Sequence, residues 1–207
     1  MLFFKYSKII FSILFSLMLC FYINVSYAEK PLNNNVRGWI PVQNLINHSN
    51  FAKLHIRMLP STIHHLGDET MKIQITSSEI GYLFLLDINS NGQLTRIFPN
   101  QYVNQNLRIK KGFIKAGQTI VIPDDSYGFN FKAVKPVGNG LLVAFLIEEE
   151  FVDGVVLPKE FESITTTQTY STLKQLNNYL NEMLETDDSI GRPIRWSITT
   201  LDYKITN

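Results

Sequence analysis

The sequence predicts a mainly β fold: an antiparallel β-sandwich of immunoglobulin-like type with one C-terminal helix packed on it. Three observations predict it. Apolar and polar residues alternate with period two over several short runs. Turn residues separate those runs roughly every eight to twelve positions, as in sandwiches. Only one stretch, near the C-terminus, changes to helical spacing.

From Lys53 the alternation is direct: Leu54, Ile56 and Met58 point one way, and Lys53, His55 and Arg57 the other. Met71, Ile73 and Ile75 alternate in the same manner with Lys72, Gln74 and Thr76. Residues 81–88 are apolar at both parities, which suits a central strand covered on both faces. Residues 93–98 pair back on it through Asn89-Ser90-Asn91-Gly92, where Asn and Gly supply the conformations of a tight turn. Residues 99–117 read as a long polar loop containing Asn100, Asn104 and Asn106. Residues 118–122 form another strand, stopped by Pro123, which has no N–H for a ladder. A turn at 124–128 comes next, then strands at 129–135 and 141–149 joined by Pro136-Val137-Gly138-Asn139-Gly140.

After Pro158 the period changes. Tyr170, Leu173, Leu176, Leu180, Met183 and Leu184 lie at helical spacing, with Thr167, Thr169 and Ser171 as candidate caps. A helix is expected near 168–186, ending by Asp187-Asp188. Residues 194–205 return as a last strand in which Trp196, Ile198 and Thr200 alternate. Residues 53–207 are thus expected to form one domain, preceded at 29–52 by an Asn-rich extended arm that docks on it.

The first 28 residues read as a secretory signal peptide. Lys5 and Lys8 precede an apolar run from Ile9 to Ile23, and Ser26-Tyr27-Ala28 sets small residues three and one before a cut after Ala28. The run is shorter than the roughly 20 residues a membrane span needs. The expected location is periplasmic or secreted. The alternatives are an anchor left by an uncleaved signal, or lipidation of Cys20, against which the bulky Leu19 argues. Cleavage takes with it the single Cys and two of the 19 basic side chains, against 18 acidic ones. A near-neutral, thiol-free domain has no disulfides, no Cys-ligated zinc and no field that draws nucleic acid or anionic lipid.

The landmarks occur in a specific order: Gly67-Asp68; Met71, Ile73 and Ile75; Ser77-Ser78; Gly81 to Asp87; Gly92; Ile97-Phe98-Pro99-Asn100; Ala116-Gly117; Ile122-Pro123; Pro136-Val137-Gly138; Leu142-Val143-Ala144. This set resembles a bacterial domain of unknown function, the family numbered four-three-eight-four, over roughly Gly67 to Ile147. The resemblance implies a β-sandwich module found alone in envelope proteins or beside kinase-like and caspase-like domains. It implies recognition rather than catalysis and carries over no catalytic residue.

Chemistry-bearing patterns are few. Residues 87–92, Asp-Ile-Asn-Ser-Asn-Gly, match the first half of a calcium loop, but Phe98 stands where the twelfth-position Glu belongs, so a hairpin turn is expected. His64-His65 near Asp68 and Glu69 would point to opposite sides of an extended chain, so no metal site is assigned. Asp124 and Asp125 with Glu148, Glu149 or Glu150 would make a hydrolase only if opposed across a cleft. Arg108, Lys110, Lys111 and Lys115 form a basic loop without interleaved aromatics. Tyr102 is the candidate recognition aromatic, exposed or packed under its own loop.

The expectation is a non-enzymatic exported module that binds a protein partner of the cell envelope, with no cofactor, no metal and no nucleic acid. Its candidate contacts are Asn100, Tyr102, Asn104, Asp124, Asp125 and Tyr127. A small-ligand or glycan-binding sandwich stands second, and a hydrolase third.

Overall fold

A computed structural model describes residues 51–67, 70–102, 112–186 and 196–207, with the side chains of 182–186 left aside. The described residues form two sheets and one long helix. The smaller sheet has β1 (Leu54–Leu59), β3 (Thr70–Ser77) and β7 (Thr119–Ile122) in that order, all antiparallel, and β8 (Phe131–Lys132) also pairs with β3. The larger runs β10 (Ser163–Ile164), β5 (Leu94–Phe98), β4 (Gly81–Ile88), β9 (Gly138–Ile147), β11 (Trp196–Thr206) and β2 (Ile63–His65). Its pairs are antiparallel except β2, which lies parallel to β11. The fold is mainly β with antiparallel sheets and one helix near the C-terminus, in the arrangement of a β-sandwich.

The double apolar parity of β4 has its cause in this layering. Tyr82, Phe84, Leu86 and Ile88 join Val143, Phe145, Trp196 and Ile198 in one core, which α1 (Thr166–Thr186) covers with Leu173, Leu176 and Leu180. Leu83 and Leu85 face the other way, into a core shared with Ile73, Ile75 and Ile122 of the small sheet. The centre of the large sheet, β4 and β9, is therefore buried on both faces. Each fully buried Leu or Phe there contributes about 1.5–3 kcal/mol.

Several elements differ from the sequence expectation. The 99–117 loop contains a short strand, β6 (Phe113–Ile114), which pairs with Gly81 and Tyr82. Its physical reason is length. β5 pairs only with residues 85–88 of β4, so the start of β4 takes a second partner on the same edge. The expected strand 129–135 shrinks to β8, and β2 and β10 are too short to show as periodic runs. Glu149–Gly154 is a 3-10 turn rather than a strand end. The helix cap is Thr165, not Thr167, Thr169 or Ser171. The Gln168 N–H donates to Thr165 Oγ1 at 3.3 Å, and the Thr165 N–H donates to Gln168 Oε1 at 3.0 Å, a reciprocal capping box. Thr169 is instead buried, and accepts the Leu94 N–H at 3.0 Å. Met183 and Leu184 lie outside the residues whose side chains are described, as do the signal segment and residues 29–50.

Candidate functional site

Two features stand on the sandwich and share one side chain. The first is an aromatic cluster built on Asn100. Asn100 is buried, and its Nδ2 donates to the Ile97 carbonyl at 2.7 Å and to the Tyr127 hydroxyl oxygen at 2.9 Å. Its Oδ1 accepts the Tyr102 N–H at 2.9 Å. One amide thus ties the end of β5, the start of the adjoining loop and the Asp125–Tyr127 3-10 turn together. Asp124 caps that turn, accepting from the Ser126 N–H at 2.8 Å and the Ser126 hydroxyl at 2.6 Å. Tyr127 is buried beneath it. Burial pushes its hydroxyl up to about 12, the Asn100 bond opposes this, and the Asp124 charge adds to it.

On this base Tyr102 lies stacked over Tyr127 at 6.1 Å, meets Phe129 edge-on at 4.9 Å and contacts Phe161 in a tilted arrangement at 5.8 Å. Phe129 in turn contacts Phe131 at 5.8 Å. Tyr102 and Phe129 remain 40% and 37% exposed, so the cluster has a firm underside and an open aromatic top. Phe161 has φ of 57°, a left-handed conformation that costs a bulky side chain on the order of 1–3 kcal/mol. Its N–H donates to the Arg96 carbonyl at 3.0 Å, and the neighbouring Glu160 carboxylate pairs with the Arg96 guanidinium at 2.7 Å. These contacts hold Phe161 where its ring closes the cluster.

The second feature is a cleft of about 340 Å³ between the sheets. Met58, Met71 and Ile73 wall it on the small-sheet side, and Ile97, Leu142 and Ile205 on the other. Phe131 lines it as well as touching Phe129 and Phe161. One residue of this wall breaks the pattern. Leu83 and Leu85 set an apolar row on the inner face of β4, and the next position in that row is Asp87. The Tyr203 hydroxyl donates to Asp87 Oδ1 at 2.7 Å.

Reaching Asp87 requires the Tyr203 ring to cross β9, and the crossing point is Gly140, which pairs with Tyr203 in the ladder. A Cβ at Gly140 would stand 2.2 Å from the ring, so no larger residue fits under it. Burial raises Asp87 from the ordinary carboxylate value to about 6, partly offset by the Tyr203 bond. Burial, then the adjacent carboxylate, also drives Tyr203 far above the usual phenol range. Lys132 and Lys135 are exposed and line the cleft at its mouth.

Of the contacts expected from the sequence, Asn100, Tyr102, Asp124 and Tyr127 come together in the aromatic cluster. Asp125 is fully exposed, with Lys72 Nζ at 3.8 Å, and Asn104 lies outside the described residues. His64 is buried and His65 exposed, on opposite sides of β2, while Asp68 and Glu69 are not described. Among the described residues no group of three His, Cys, Asp or Glu could hold a metal ion. The Asn89 side chain accepts the N–H groups of Asn91 (3.0 Å) and Gln93 (3.1 Å), which makes 87–92 a hairpin turn. Asp124 adjoins the end of the small sheet's β7, and Glu148 the end of the large sheet's β9. Asp87 is the one acidic side chain among the described residues of the cleft wall.

Residues 65–150 match a family model described as Domain of unknown function (DUF4384). No curated protein matches the chain. The DUF4384 match runs from the end of β2 through β9 and covers less than half of the chain. It includes Asn100, Tyr102, Tyr127, Phe129 and Asp87, whereas Phe161 and Tyr203 lie beyond it. Both features are therefore completed by C-terminal residues outside the DUF4384 segment.

Sequence reasoning did not single out Asp87 as a cleft residue, or Tyr203, Phe129 and Phe161 at all. A signal existed for two of them. Asp87 is the one charged residue in the apolar run of β4, and Phe129 shares the parity of Phe131 in the strand expected over 129–135, one side of an extended chain. Phe161 and Tyr203 arrive by tertiary contact and carry no local signal.

Proposed function

We propose that this chain is an exported, non-catalytic recognition module of the bacterial cell envelope, and that it engages a protein partner through the aromatic face of Tyr102 and Phe129. The observation that carries this reading is the pairing of exposure with support. Two rings stay more than a third exposed while standing on the buried Asn100–Tyr127 base. Rigid aromatic anchors lose little entropy on binding and dominate the energetics of protein interfaces. The leader pattern of residues 1–28 supports the envelope as the place of work.

The test is affinity purification after crosslinking of intact envelopes, comparing wild type with Tyr102→Ala/Phe129→Ala. The proposal expects a stoichiometric partner with wild type and its loss, by at least about tenfold, with the double variant. Equal recovery with both, or no partner with either, would overturn it.

A further inference from the structure

The cleft poses a separate question from the aromatic face. A carboxyl group on the inner face of a sandwich has to be compensated, and the fold supplies only part of the compensation. Tyr203 donates to Oδ1 at 2.7 Å, and among the described residues no other side chain hydrogen-bonds to the Asp87 carboxylate. The fold also keeps Gly140 clear so that the tyrosine can reach, although Leu at position 87 would continue the row of Leu83 and Leu85. Local violations of packing logic of this sort concentrate at functional sites. The volume of about 340 Å³ lies within the roughly 300–1,000 Å³ of small-molecule sites, whose form is an apolar wall with a few convergent polar groups.

The chemistry of the lining selects the ligand. Asp87 offers an acceptor, and in ionised form a negative charge, to a group entering between apolar walls; an ammonium satisfies both. Met58, Met71, Ile73 and Leu142 offer only apolar surface to the body of a ligand so anchored. Lys132 and Lys135 at the mouth offer a positive field to its emerging end. A single amino acid carries both of its charged groups on one carbon and offers one side chain to the apolar wall. A dipeptide separates them and brings two apolar side chains. We infer that the cleft binds a short apolar peptide with free termini, its ammonium on the Asp87 carboxylate beside Tyr203 and its carboxylate at Lys132 and Lys135.

The test is calorimetric titration of the purified protein at pH 7.5 with dileucine, N-acetyl-dileucine and dileucine amide. Dileucine is expected to bind saturably. Blocking its amine, or the Asp87→Asn substitution, weakens binding by roughly tenfold or more, the range for a hydrogen-bonded charge. The double substitution Lys132→Gln/Lys135→Gln sits on exposed positions and leaves the fold intact; it brings the affinity for dileucine down to that for the amide. Absence of heat with dileucine at millimolar concentration overturns the inference. So does binding that is indifferent to amine acetylation, and so does equal affinity of the wild type for dileucine and its amide. Each of these readings is independent of the partner sought through Tyr102 and Phe129.

Discussion

Among the described residues, Asp87 is a carboxylate whose charge the fold disfavours. Its folded value of about 6 stands above the ordinary carboxylate value of 3.8, because burial disfavours the charged form more than the Tyr203 hydroxyl stabilises it. The native state therefore binds a proton more readily than the unfolded chain between those values. Stability from this group is complete below about pH 4 and is lost as pH rises through about 6. The charged and titratable groups sharing its cleft are Tyr203, protonated throughout this window, and the two lysines at the mouth. Denaturant titrations of wild type and Asp87→Asn from pH 4 to pH 7.5 should diverge with pH. The variant keeps an acceptor for Tyr203 without the charge, and at pH 7 it should be more stable by on the order of 2–3 kcal/mol, with little difference at pH 4. Parallel curves would show that Asp87 is not held in a desolvated site. The Asn100 amide illustrates the converse case. It makes three hydrogen bonds in a buried setting, so its polarity is compensated and the loop it holds is fixed.

At the scale of elements, β9 carries the most consequence per residue, because it lies between β4 and β11 and is buried on both faces. Gly140 is its exception, a gap over which Tyr203 passes. Gly140→Ala places a methyl group 2.2 Å from the ring, so Tyr203 must leave Asp87. The variant should lose about 1–3 kcal/mol of unfolding free energy, the usual cost of overpacking, and Tyr203→Phe/Gly140→Ala should lose little beyond the single changes. Unchanged denaturation of Gly140→Ala would contradict the crossing.

The alternating strands β1 and β3, the doubly apolar β4 and its hairpin partner β5 are readable from the sequence, as is the helix carrying Leu173, Leu176 and Leu180. In each case the signal and the burial that produces it lie within one run of residues. The elements that escape, β2, β6 and β10, are two or three residues long and exist because a longer neighbour needs a partner on its edge. The candidate sites divide in the same way. Asn100, Tyr102 and Tyr127 can be named from turn chemistry and aromatic placement. The Asp87–Tyr203 bond spans 116 positions and cannot.

For the whole molecule, the three layers divide the labour. The helix closes one core and leaves the other, between the sheets, to end in the cleft and the aromatic cluster, with Phe131 common to both. No helix among the described residues is long and apolar enough to cross a membrane. The proposed function rests on the aromatic face as the place of contact, so the decisive measurement is where on the surface a partner is captured. A photocrosslinking amino acid placed at position 102, 129 or 156 in the native envelope separates the possibilities, since Val156 is apolar and 70% exposed but lies outside the cluster. Adducts to one common protein from positions 102 and 129, and none from 156, are the predicted result. Adducts from all three alike, or from none, would contradict a recognition face built on Tyr102 and Phe129.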